Sequence, residues 1–278
     1  MDAKLVVGVK DAAASHRAVE WASGWARKRG ATIELVAVVG GAIGVIGEGA
    51  VVDTALEHAE ELLWREAARV REHGVVVTTR LERGNPVEIL IAASSDAALL
   101  VIGSDYRGVG GPFRGRRGIR IVAAAHCPVV VVPELEPGER IGVVVGIDGS
   151  EVSEAALAFA AAEADRRGTE LIAVSVWSPL AVPLGFSTYP EDYLANMQTA
   201  TEEMQAVALA GLASDYPDLR VRRVVESGFP ASVIAARGRS AELVVLGSHG
   251  RGAFARFLLG SVSEEVLARL PTVTAVVR

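Results

Sequence analysis

The sequence predicts an α/β protein built from two tandem, doubly wound domains, each a five-stranded parallel sheet with helices on both faces. Three observations carry that expectation. Short unbroken apolar runs such as Val143-Val144-Val145 and Leu243-Val244-Val245-Leu246 alternate with amphipathic stretches, as strands do when helices cover both sides of their sheet. An internal repeat spans the chain. Leu5-Val6-Val7-Gly8-Val9 answers Val143-Val144-Val145-Gly146-Ile147 at a separation of 138 residues; Gly84-Asn85-Pro86 answers Gly228-Phe229-Pro230, and Leu99 to Ser104 answers Leu243 to Ser248, both at 144. Finally, 278 residues exceed the usual size of one domain.

The elements follow in order along the second copy. Gly142 to Ile147 is a strand, and Ser150 to Arg167 has helical spacing at Ala156, Phe159, Ala160 and Glu163 until Gly168 stops it. Leu171 to Trp177 is a strand. Ser178 to Asn196, with three prolines and the aromatics Phe186, Tyr189 and Tyr193, is an insertion relative to the first copy, and a loop of that length is functional or mobile. Tyr193 to Ala213 is a long helix, Arg220 to Glu226 a strand, Ala231 to Arg237 a short helix and Glu242 to Leu246 a strand. Val262 to Ala268 forms the last helix and Val273 to Val277 the last strand. Pro133 to Arg140, polar with two prolines, has linker composition. The domains are expected at 1–134 and 139–278.

Composition removes several function classes. Hydrophobic residues make up 50% of the chain, too many for a disordered one, and the net charge of −6 gives no electrostatic reason to bind nucleic acid. No apolar run reaches the roughly 18 residues of a membrane-spanning helix, and the first residues lack the pattern of a signal peptide. A cytoplasmic protein with no membrane partner is expected. The single cysteine, Cys127, beside Pro128 in an apolar run, reads as a buried structural thiol.

The chemistry gathers at the carboxyl ends of the second copy's strands, where open α/β sheets bind ligands. Asp148-Gly149-Ser150 follows the first strand, Val174 to Trp177 closes the second, and Gly228-Phe229-Pro230 follows the third. The fourth leads into Gly247-Ser248-His249-Gly250-Arg251, followed by Gly260-Ser261-Val262-Ser263 where a helix begins. Glycines there permit positive φ or a close backbone approach, and the free N–H groups of a helix start attract anions. The spacing Gly247, two residues, Gly250, nine residues, Gly260-Ser261 is neither a Walker loop nor a dinucleotide fingerprint. Plainer readings stand beside these: Ser150 as an N-cap, Val174 as core, His249 as a loop residue rather than a general base, and Arg251 as either a phosphate partner or a solvated cation.

The spacing resembles the ATP-binding signature of the universal stress protein family, and the resemblance extends over the whole chain as two tandem domains. It implies that Asp148 meets the adenine or its ribose, that Val174 lines the base, and that the backbone near Gly228 lies against it. By the same resemblance Gly247, Gly250, Gly260, Ser261, Val262 and Ser263 cradle the phosphates of ATP; if Mg2+ accompanies the nucleotide, Asp148 is the residue placed to assist it. The family pairs domains through their last strands, which implies an intramolecular pseudo-dimer here; two chains could pair further as a homodimer.

The first copy departs from the signature. Lys10 stands at the position of Asp148, Tyr106 at that of Gly250, and Arg117-Gly118-Ile119-Arg120 replaces Gly260-Ser261-Val262-Ser263. A tyrosine would resist positive φ. ATP is therefore expected in the second domain, with the first as scaffold or as host to another anion at Gly108, Gly110, Gly111 and the cluster Arg114, Arg116, Arg117 and Arg120. Three functional classes remain: an ATP-binding stress regulator, a slow ATP hydrolase or phosphoryl or adenylyl transferase, and a scaffold without nucleotide.

Overall fold

The computed structural model describes residues 3–40, 49–104, 116–134, 138–179, 189, 192–250 and 259–278. Two compact units divide it, Met1–Glu136 and Pro137–Arg278. The first contains β1 (Lys4–Val9), α1 (Ala13–Arg29), β2 (Thr32–Val39), α2 (Gly49–Glu72), β3 (Val77–Arg83), α3 (Pro86–Ala93), β4 (Leu99–Ser104), α4 (Arg116–Ala124) and β5 (Val129–Pro133). Its strands lie in the order β3-β2-β1-β4-β5, all parallel. Cys127 is buried, as its apolar setting predicts.

The second unit repeats this plan with β6 (Val143–Gly146), α5 (Glu151–Arg167), β7 (Leu171–Trp177), α6 (Tyr193–Leu209), α7 (Leu212–Asp215), β8 (Val221–Ser227), α8 (Pro230–Gly238), β9 (Leu243–Gly247), α9 (Ser261–Arg269) and β10 (Thr274–Val277). Its strand order is β8-β7-β6-β9-β10, again all parallel. In register, Val143 lies between Leu171 and Leu243. Successive strands proceed from β6 to one side and then to the other, so the order reverses between β6 and β9. The carboxyl ends of those two strands are the switch point of the sheet.

Burial explains why the strand runs are unbroken. Val143, Val144, Val145, Leu243, Val244 and Val245 are all fully buried, because helices cover both faces. On one face, Val144, Val174, Val244 and Leu246 pack with Ala231 and Ile234 of α8 and Val266 of α9. The other face receives α5, whose alanines Ala156, Ala160, Ala161 and Ala164 allow a close approach. Ser150 caps α5 by accepting from the Ser153 N–H at 3.2 Å, and Gly168 ends the helix in the left-handed region at φ 65°.

One long helix over Tyr193 to Ala213 is expected from the sequence, but the structure divides it. α6 ends at Leu209, Ala210 N–H turns back to the Val207 carbonyl, and the short α7 follows Gly211. Glycine's conformational cost favours a break there. The fully buried Gln205 anchors α6: its amide donates to Ala173 O, Ser175 Oγ and Val224 O at 3.0 to 3.1 Å, and its carbonyl accepts from Arg223 Nε at 3.2 Å. The inserted stretch at 180–188 and 190–191 lies outside the described residues.

Candidate functional site

At the switch point of the second unit lies a cleft of about 610 Å³, within the range of small-molecule sites. β6 supplies its first wall. Ile147 N–H continues the ladder to Val174 O at 2.9 Å, and Asp148 follows. Asp148 Oδ1 accepts from Ser150 N–H at 3.0 Å and from Ser150 Oγ–H at 2.6 Å, while Gly149 takes φ 75°. Ser150 is thus the helix cap that its position suggests. Asp148 is both the turn's acceptor and a lining residue of the cleft.

The other carboxylate oxygen of Asp148 explains Gly250. A Cβ at Gly250 would lie 2.3 Å from Asp148 Oδ2, far inside contact distance. Sequence reasoning allows for positive φ in this loop, yet Gly247, Gly250 and Gly260 are not among the positive-φ glycines. The demand at Gly250 is close approach.

β9 and α9 are fastened to each other across the glycine loop. Gly260 N–H donates to Ser248 O at 2.7 Å, and the Ser263 hydroxyl donates to Gly247 O at 2.6 Å. Both serines at the helix start are expected to face a phosphate, but the Ser263 side chain is buried and its proton is committed to Gly247. Ser261 is exposed. Gly260, with φ −65° and ψ 147°, is the N-cap of α9, and no side chain caps that helix among the described residues. The N–H groups of its first turn and the positive end of its dipole therefore adjoin the cleft, lined here by Gly260, Ser261, Val262 and Ser263.

The remaining wall is apolar: Val174 and Val176 of β7, Pro230 and Ile234 of α8, and Leu246 of β9. Val176 was within reach of sequence reasoning, since a strand places residues two apart on one face. Pro230 lies in the segment Gly228-Phe229-Pro230 that the sequence places at this crevice; Ile234 was not read there, because its contact with β6 and β7 arises only through the fold. His249 lines the cleft as well, its Nδ1 3.0 Å from Ser248 Oγ. Gly228 is not among the lining residues. It makes the turn from β8 into α8 at φ 145°, with its N–H on Trp177 O at 2.9 Å and its carbonyl accepting from Ser178 Oγ. Arg251 lies outside the described residues.

An apolar wall, a glycine-lined corner and a helix start with no side-chain cap among the described residues line a single cleft. That arrangement suits a ligand with a flat apolar part and an anionic part. Among the described residues no group of three or more His, Cys, Asp or Glu could hold a metal ion. A magnesium ion here would be carried by phosphate oxygens, with Asp148 the one carboxylate among the described lining residues.

The sequence model described as the universal stress protein family matches the chain twice, at residues 1–133 and 142–278. The chain belongs to the universal stress protein family. A universal stress protein of Mycolicibacterium smegmatis is 35% identical over 291 aligned residues, covering 99% of this chain and 96% of that one. One from Mycobacterium tuberculosis H37Rv is 33% identical over 287, covering 98% and 95%. The crystal structure of a universal stress protein from Archaeoglobus fulgidus has the same fold, with a TM-score of 0.72 at 22% identity over 99% of this chain and 96% of that one. The chain is a tandem universal stress protein with two α/β domains.

In the first universal stress domain the close packing is retained and the residues at the matching positions differ. A Cβ at Gly103, the counterpart of Gly247, would lie 2.5 Å from the backbone of Ala14, so β4 meets α1 as closely as sterics allow. Lys10, at the position of Asp148, donates its N–H to Ser15 Oγ at 3.0 Å. Arg117 and Arg120 are exposed on α4; Tyr106, Gly108, Gly110, Gly111 and Arg114 lie outside the described residues, as does the side chain of Arg116.

Proposed function

We propose that the second domain binds an adenine nucleotide, ATP with magnesium on its phosphates, and that binding regulates the conformation or assembly of a cytoplasmic stress-response protein. The observation that best supports this reading is the union in one cleft of an apolar slot and a glycine-lined corner beside the free start of α9. A purine presents flat apolar faces and a triphosphate is polyanionic, so each end of the cleft suits one end of the molecule.

On this reading Asp148 accepts from the ribose or base, and Val174 with Val176 lines the ring. Gly247, Gly250 and Gly260 bring the backbone close to the phosphates. Ser261 and Val262 offer first-turn N–H groups, and Ser263 holds α9 against β9. Gly228 shapes the rim next to the base, and Arg251 neutralises phosphate charge. The domain at 1–134 is a scaffold with a degenerate motif, and the one at 139–278 carries the intact motif. The intramolecular pseudo-dimer and a homodimer enter as the assemblies through which binding would be read, measured by light scattering with and without ATP.

The test is calorimetric titration of the purified chain with ATP and magnesium beside a Gly247→Ala, Ser261→Ala double variant, followed by chromatography of the nucleotide. One site per chain, lost in the variant with ATP left intact, is the expected result. Conversion to ADP would put the hydrolase or transferase in its place, and no binding would leave the scaffold.

A further inference from the structure

The geometry points to Phe229 as a ligand-contacting residue of the cleft, one that stacks on the heterocycle and sets selectivity for a ligand carrying one. The inference rests on the nucleotide reading and goes beyond it, since neither the signature nor the cleft lining includes this side chain.

The turns leading into α3 and α8 are the same turn. Gly84 and Gly228 have φ 141° and 145°, and each donates its N–H to the residue ending the neighbouring strand, Val39 O at 3.0 Å and Trp177 O at 2.9 Å. The following residues have nearly identical backbones, φ −82° and ψ 114° at Asn85, φ −88° and ψ 115° at Phe229, and proline follows both. Only the side chain differs. Asn85 Oδ1 accepts from Val87 N–H at 3.0 Å and its amide donates to Glu88 at 2.8 Å, a normal N-cap. Phe229 cannot cap, α8 has no side-chain cap among the described residues, and the residue is 78% exposed.

A phenylalanine here gives up the cap and leaves an apolar residue exposed, two costs that nothing among the described residues offsets. A return is available at the rim of the cleft. Phe229 immediately precedes Pro230, which lines the apolar wall with Val176. The backbone presenting it is held on both sides, by Gly228 N–H on Trp177 O and Ser178 Oγ–H on Gly228 O before it and by Ser232 and Val233 N–H on its own carbonyl. A ring on so fixed a turn has only two side-chain torsions to lose on binding, which makes it an economical stacking group.

The experiment titrates full-length wild type, Phe229→Asn and Phe229→Trp with ATP and with inorganic tripolyphosphate, and records each melting curve. Asparagine restores the cap, so its melting midpoint should rise by about 2–4 °C. Its ATP affinity should fall by about tenfold, the scale of base–aromatic stacking, and its tripolyphosphate titration should match that of wild type. Phe229→Trp should retain ATP affinity. Unchanged ATP affinity in Phe229→Asn overturns the assignment, as would happen if the ring served a protein partner; equal losses for ATP and tripolyphosphate also overturn it. Failure of wild type to bind ATP at all rejects the nucleotide reading itself and this inference with it.

Discussion

Replacing Gly250 by alanine tests how the cleft is built. The new Cβ would stand 2.3 Å from Asp148 Oδ2, so the carboxylate or the loop must move by about 1 Å to reach ordinary contact. The carboxylate is not free to turn, because its other oxygen accepts from Ser150 N–H and Oγ–H. Hydrogen bonds to a charged group contribute about 1.5–3 kcal/mol each, and sacrificing one of them sets the expected cost at about 2 kcal/mol, or roughly 4–8 °C in the melting midpoint of a domain this size. Calorimetric melting of Gly250→Ala in the wild-type and Asp148→Ala backgrounds measures the coupling directly. With the carboxylate gone the alanine should cost almost nothing, since outside positive φ a Gly→Ala change tends to stabilise. Equal destabilisation in both backgrounds would refute the steric account and return the glycine requirement to the backbone.

Ser263→Ala removes the buried hydroxyl's bond to Gly247 O and should cost about 1–3 kcal/mol, with increased amide exchange at the start of α9; no change in exchange would mean that α9 is held otherwise. Gln205→Leu strips the donor from Ala173 O, Ser175 Oγ and Val224 O and should destabilise by about 2–4 kcal/mol, seen first as loss of protection in α6. The Lys4 ammonium, donating to Asp96 at 2.7 Å, holds that carboxyl below the usual range, and the same bond raises Lys4. The Asp96 contribution to stability is therefore present above the unfolded carboxyl pKa and lost as pH falls through the lower folded value. The Lys4 contribution is present below its unfolded pKa and lost as pH rises through the higher folded one. Asp96→Asn should flatten the acid limb of the stability profile, and because Asp96 is exposed, high salt should do the same in wild type.

Much of the fold was written in the chain locally. A strand buried on both faces must be apolar at successive positions, so Val143 to Val145 and Leu243 to Leu246 declare themselves, and a domain written twice confirms each element by its counterpart. Helix ends were legible where one residue does the work, as at Ser150 and Gly168. The break of α6 at Gly211 was not read from the sequence, because nothing in the spacing from Tyr193 to Ala213 weighs a glycine against the packing that Gln205 anchors.

The sequence by itself determined the two-domain α/β plan, the family and the segments that converge at the switch point. Only the tertiary structure decided what each of those residues does there. Asp148 presses on Gly250 across the switch point, the Ser263 proton is spent on Gly247, and Phe229 stands uncapped where Asn85 caps its own helix. The physical reason is range. Burial and helix or strand periodicity leave their mark on neighbouring residues, whereas steric clearance and hydrogen-bond partnership at a site are set by residues that meet only when the sheet has formed.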